Sequence, residues 1–205
     1  ALLRDGYRQG AVQNGEFIPA KREEIIRSRM LRGETVPYIK EVNLPYLRHF
    51  EVDINFSLDY KNVRSELDRE LVERAVSAKT GGGEIRTLAR DDFFLHLCAH
   101  LYKEATTFPW IRIKRDMTLY KYIDLYMLLY ETTTSAADEM AAGAHALGLG
   151  TECYFAVSEA VNLFGDESGA GTRILRGLPD VDTNGLFSVI SPEEKKEYRY
   201  TERDT

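Results

Sequence analysis

Cysteine is scarce: the 205 residues hold two, Cys98 and Cys153. That excludes a disulfide framework, and it leaves too few thiols for a zinc site without histidine. Both stand in apolar helical surroundings, where a buried thiol in a reducing compartment is expected. Long apolar runs are missing; none approaches the roughly 18 residues that a membrane-spanning helix needs. The first ten residues carry Arg4, Asp5 and Arg8 and lack the apolar stretch of a secretory leader. A basic excess is missing too. Lys and Arg number 27 against 33 Asp and Glu, a net charge of −6. No broad footprint for duplex nucleic acid is therefore expected, although a local phosphate site stays open. Repeats and low-complexity tracts do not occur. What remains is an ordinary globular composition, 43% hydrophobic and 29% charged, with length for one large domain or two small ones. Cytoplasm is the expected location.

The coarse pattern is mixed. Residues 20–32 read as a helix behind Pro19, with Gly33 as its stop. Residues 36–42 read as a strand whose early proline suggests a sheet edge. The stretch 48–57 is the best strand. Phe50, Val52, Ile54 and Phe56 alternate with Glu51, Asp53, Asn55 and Ser57, one apolar face against one polar. Helical spacing follows over 63–78, through Val63, Leu67, Leu71, Val72 and Val76. Gly81 to Gly83 break the chain, and a short strand is expected at 85–88. Further helices are expected from Asp91 or Asp92 to Ala105, over 115–131, over 134–147 and over 151–164. Residues 165–185 read as loop, and 186–201 as a strand or hairpin turning at Ser-Pro-Glu-Glu.

Four sets of residues carry candidate chemistry. Glu51, Asp53 and Asn55 point one way if the strand is regular, and such carboxylates suit magnesium with substrate phosphates. A solvated sheet face is the plainer alternative. His96 and His100 share a helix face and could bind substrate or zinc, or could simply be hydrogen-bonded. Leu97 stands where HExxH would need Glu, and Asp92 could cap the helix or pair with His96. Arg112, Lys114, Arg115 and Lys121 could hold a triphosphate or make surface ion pairs; Lys121 and Asp124 share a helix face. Tyr122, Tyr126 and Tyr130 form a stripe better suited to core packing than to base stacking. Thr-Gly-Gly-Gly-Glu lacks the ending of a phosphate loop. Asp180 and Asp182 lie in a turn-like setting, and neither cysteine has the context of a catalytic thiol.

Several pieces occur together and in order. LLRDGYRQG is followed by FEVDINFSL, then LARDDFFLHLCAHLYKEA, then KYIDLYMLL. This set resembles the uncharacterised nucleotidyltransferase family of the polymerase-β-like superfamily, over roughly residues 1–165. The resemblance implies transfer of a nucleoside monophosphate from a nucleoside triphosphate to an acceptor. It implies two magnesium ions held by three carboxylates, with Asp53 as the third and Asn55 where many members have His. The Gly-Ser and Asp-x-Asp stretch that the resemblance places upstream of LLRDGYRQG is not in the chain. The expectation is a C-terminal portion of such a protein, or a degenerate member.

The expected architecture is α+β: a partial mixed sheet, nucleotidyltransferase-like, packed on a C-terminal helical bundle. Residues 1–60 would be the remainder of the α/β part, 61–165 the helical domain, and 166–205 a loop with a short strand or hairpin. Asp53 is the expected catalytic carboxylate, with Asp53 and Glu51 as metal ligands. Lys114, Lys121 and His100 are the expected nucleotide contacts. Magnesium and a nucleoside triphosphate, ATP first, are the expected cofactor and substrate. The acceptor is open, and a protein partner or a missing N-terminal segment could complete the site. A non-catalytic interaction or regulatory domain of the same fold is the alternative. A metal-dependent hydrolase using His96 and His100 is the weaker one.

Overall fold

An Asn-Gly pair folds the first strand back on itself. β1 (Arg8–Gln13) and β2 (Glu16–Pro19) run antiparallel. Asn14 and Gly15 take φ of 52° and 84° between them, as the tight hairpin turn requires. The computed structural model describes residues 1–58, 65–178, 181, 186, 188–191 and 194–199. These fall into two compact units, Ala1–Ser65 and Glu66–Thr205.

In the first unit, α1 (Arg22–Leu31) follows β2, with Glu23 and Glu24 in its first turn and Arg29 in its last. That charge order complements the helix dipole. Gly33 (φ 63°) lets the chain turn out of it, and the buried Ser28 hydroxyl bonds the Glu34 carbonyl at 3.1 Å. β3 (Tyr38–Leu44) and β4 (Leu47–Val52) complete a four-stranded sheet in the order β2-β1-β3-β4. The α+β expectation holds, but every pairing in this sheet is antiparallel rather than mixed. β3 is also an inner strand and not the expected edge. Pro37 lies just ahead of it, where no N–H is needed, and the Pro37 carbonyl accepts from Gly10 N–H at 3.1 Å. Gly10 itself has no room for a side chain. A Cβ there would stand 2.2 Å from the Ile18 carbonyl oxygen.

The second unit begins within α2 (Ser65–Glu73), a helix shorter than the one expected over 63–78. Val63 lies outside the described residues, and Val76 opens β5 (Val76–Thr80) instead. The Arg86 guanidinium, from β6 (Gly83–Thr87), donates to the Val72 and Ala75 carbonyls. It thereby satisfies groups that a helix end leaves open. Five helices follow: α3 (Arg90–Ala105), α4 (Phe108–Arg112), α5 (Leu119–Tyr130), α6 (Thr134–Ala146) and α7 (Gly150–Phe164).

α3 is the central element, packed against α5, α6 and α7. Phe94, Leu101 and Cys98 on α3, Leu125 on α5, Met140 on α6 and Cys153 and Val157 on α7 are all fully buried. Both thiols are free, as expected. Burial and the neighbouring Cys153 push the Cys98 thiol well above its ordinary range, so it stays protonated and inert. The expected loop over 165–185 contains a helix, α8 (Ala170–Gly177). Its glycines signal loop in sequence, but they serve packing here: a Cβ on Gly177 would meet the Ala141 Cβ at 2.9 Å. Asp166 accepts from Gly171 and Thr172 N–H at 3.0 and 2.7 Å and so fixes the start of α8. Pro179, Asp180, Asp182, Asn184 and Gly185 lie outside the described residues. The expected hairpin forms as β7 (Ser188–Ser191) and β8 (Lys196–Arg199); Pro192 and Glu193 of its turn are outside the described residues. Among the described residues no helix is long and apolar enough to cross a membrane.

Candidate functional site

Within the first unit, the sheet register decides what surrounds the acidic residues. Ile39 pairs with Arg8 on one side and Glu51 on the other. Residues directly opposite share a face, so Arg8 and Glu51 flank the buried Ile39. Glu41, two residues further along β3, is on that face too and is ion-paired with Arg8. Glu51, Asp53 and Asn55 are all exposed.

The strand expected over 48–57 ends at Val52. Beyond it the pairing slips. Between the Tyr38–Val52 pair and the Glu34–Asn55 bridge, Thr35, Val36 and Pro37 face only Asp53 and Ile54. Thr35 N–H still donates to Ile54 at 2.8 Å, and Phe56 N–H to Gly33 at 2.9 Å. Asp53 therefore sits opposite a bulge carried by residues 35–37, a place where the regular pairing is interrupted. The companion face is less buried than its pattern suggests: Phe50, Ile54 and Phe56 are each about 40% exposed.

In the second unit the chemistry is inside. His96, His100 and Glu104 lie on successive turns of α3. The two imidazoles stack with centroids 6.1 Å apart and planes 14° from parallel. Glu104 is 4% exposed. One of its oxygens takes the Lys121 ammonium from α5, and the other lies 3.4 Å from His100 Nε2. Lys121 Nζ also stands 5.8 Å from the Tyr120 ring centroid. Lys103 is buried on the same helix as the histidines.

These surroundings set the charges. Burial, then Lys121, His96 and Lys103, push the His100 pKa down to about 4. Burial and Lys103 lower His96 as well. Both imidazoles are therefore neutral at pH 7, and His100 can meet a phosphate as a hydrogen-bonding group but not as a cation. Burial also lowers the Lys121 pKa.

The structure brings His100 and Lys121 together, through Glu104. Arg112 ends α4 and Lys114 turns with φ 56°, so the extended segment expected to align the two is absent, and Lys114 is exposed. Lys121 pairs with Glu104 rather than with Asp124. Asp92 pairs with Arg74 at 2.7 Å rather than with His96. Of the tyrosine stripe, Tyr122 is buried as expected, Tyr126 packs 5.4 Å from Phe164, and Tyr130 is half exposed. The Gly81 to Gly83 run turns the β5–β6 hairpin. Among the described residues no group of three or more His, Cys, Asp or Glu is arranged to hold a metal ion. Glu104 was not singled out in the sequence. Its signal is the four-residue spacing from His100, which puts both on one face of the helix.

The family comparison matches residues 1–165 to a family described as uncharacterised nucleotidyltransferase. The chain belongs to that family. No curated protein and no solved structure matches it. The match spans β1 to α7 and so includes Glu51, Asp53, His100, Lys114 and Lys121. Nucleotidyl transfer is the general activity that goes with the family.

Proposed function

We propose that the chain works with magnesium to transfer a nucleoside monophosphate from a nucleoside triphosphate, ATP first, to an acceptor. The observation that carries this reading is the family match over residues 1–165. In this reading Asp53 and Glu51 are the metal ligands, and Asp53 is the catalytic carboxylate. Lys121 and Lys114 meet the phosphates, and His100 adds a neutral hydrogen bond. The donor set suits magnesium: both are hard carboxylate oxygens at an exposed strand end, and this ion takes one or two carboxylates with phosphate and water oxygens. When bound, it would neutralise charge on the phosphates.

The remaining work falls to the chain's own side chains. Lys121, buried beside Glu104, offers an ammonium whose direction is fixed. Lys114, exposed at a turn, offers one that is free to reach. Positioned charge of this kind is what phosphoryl transfer mostly asks of a protein.

The test is thermal unfolding with magnesium and each of ATP, GTP, CTP and UTP, on the wild type and on Asp53→Asn. A magnesium-dependent rise in Tm is expected, weakened by the substitution. A ligand at a hundredfold excess over Kd adds about 2.7 kcal/mol to the folded state. No rise with any nucleotide would turn the reading toward a regulatory domain of the same fold.

A further inference from the structure

We infer that Glu104 is a positioning residue of the nucleotide site: its two carboxylate oxygens hold the Lys121 ammonium and the Nε2 edge of His100, so that both are presented to phosphate in one arrangement. The inference rests on the reading of Lys121 and His100 as phosphate contacts.

Glu104 is 4% exposed and lies one residue from the end of α3. Its Oε2 bonds Lys121 Nζ, and its Oε1 stands 3.4 Å from His100 Nε2. The side chains of Glu104 and Lys121 are 6% and 11% exposed. Burying such a pair contributes little to stability, because desolvation offsets most of the attraction, and apolar side chains of like size often do as well. What the pair does supply is direction. A free lysine samples many rotamers, and immobilising it on binding costs affinity. Lys121 has that freedom removed before any ligand arrives.

The groups facing one another here are His96, His100, Lys103 and Glu104 on α3 and Lys121 on α5. Of these, Glu104 alone carries negative charge, so the two lysines and the two imidazoles disfavour one another's protonation without it. A carboxylate facing Nε2 also selects the tautomer with its proton on that nitrogen. That N–H is the donor His100 can share with a phosphate oxygen.

The experiment compares wild type, Glu104→Gln, Lys121→Met and the double variant, all in the full chain. ATP with magnesium is titrated by calorimetry, and the His100 ring nitrogens are followed by NMR. Glu104→Gln keeps shape and one hydrogen bond but removes the charge. It is expected to weaken ATP about tenfold, the worth of a lost charge-assisted contact. The double variant is expected to be no weaker than Lys121→Met alone, because Glu104 acts through Lys121 and the residual His100 contact is the smaller part. The His100 tautomer signature is expected to shift in Glu104→Gln, which loss of general stability would not cause.

Wild-type affinity in Glu104→Gln, beside weakened binding in Lys121→Met, overturns the inference and leaves the nucleotide reading standing. Fully additive losses overturn it as well. No binding of ATP, GTP, CTP or UTP by the wild type overturns the nucleotide reading and the inference with it. If Glu104→Gln does not fold, Glu104→Asp replaces it. That variant keeps the charge but draws it back by one methylene, and loss of ATP affinity is expected again. Wild-type affinity there overturns the inference.

Discussion

The two units of this chain treat charge in opposite ways. In the first, the ionic groups lie on the outside of an antiparallel sheet. Arg8 and Glu41 are paired with side chains about 60% exposed, and Glu51 and Asp53 are open to water. In the second, Glu104 and Lys121 are nearly sealed within a helical bundle. The difference has a geometric origin. A four-stranded sheet with a single helix has little volume in which to hide anything; α1 buries only Ser28. The helices packed around α3 make an interior, and a charge placed there must bring its partner. The exposed carboxylates are cheap to keep and easy for a hard cation to reach. The buried pair is costly to break and fixed in direction.

The largest effect should separate the two interiors. Phe94→Ala in the bundle empties a fully buried site and is expected to cost about 3–5 kcal/mol in urea unfolding. Phe50→Ala in the sheet, from a ring 42% exposed, is expected to cost much less. Equal losses would break the contrast. Next comes charge. Lys121→Ala strands a buried carboxylate and is expected to cost about 3 kcal/mol. Arg8→Ala, at an exposed pair, is expected to stay under about 1 kcal/mol and to shrink further in salt. Gly10→Ala probes the sheet's own tight point, where the new Cβ meets backbone; a loss of about 1–3 kcal/mol is expected.

The last comparison is a pH dependence. His100 has a folded pKa of about 4, below the 6.5 of an unconstrained imidazole. Between these values the unfolded chain binds more protons than the folded one. Stability from this group therefore falls as pH drops from 6.5 toward 4 and levels off below. His100→Asn should flatten that part of the profile, and an unchanged slope would place the titration elsewhere.

How much of this was legible in the sequence depends on whether the signal was local. α3, α6 and α7 follow from apolar spacing, and the β7–β8 hairpin from its flanking strands. The β1–β2 hairpin is equally local, since Asn14-Gly15 announces its turn. α8 is hidden by glycines that read as loop, of which Gly171 and Gly177 let it approach α7 and α6 closely. The inner position of β3 could not be read at all, because it depends on β1 crossing to pair with it. Among candidate residues, His100 and Lys121 were visible by type. Their shared partner was not, since Glu104 looks like any solvent-facing acid at the end of a helix until α5 is laid against it. The reading of Asp53 rested on family resemblance and on a strand running to residue 57, and the bulge at 35–37 interrupts that strand's pairing opposite Asp53.

Asp166 carries a consequence of its own. The stretch Gly165 to Gly171 is rich in glycine and runs into a helix, the layout of a seat for an anion. Here the seat is taken from within. Burial works against the ionised Asp166 carboxyl, but hydrogen bonds from Thr172, Gly171 and Gly169 outweigh it and hold its pKa below the usual range. The chain thus supplies its own substitute for phosphate, as a lock fitted with its key. Removing the key, in Asp166→Ala, should create a weak, magnesium-independent affinity for inorganic phosphate at α8 that has nothing to do with catalysis, and that variant is the control against which any true nucleotide signal should be read.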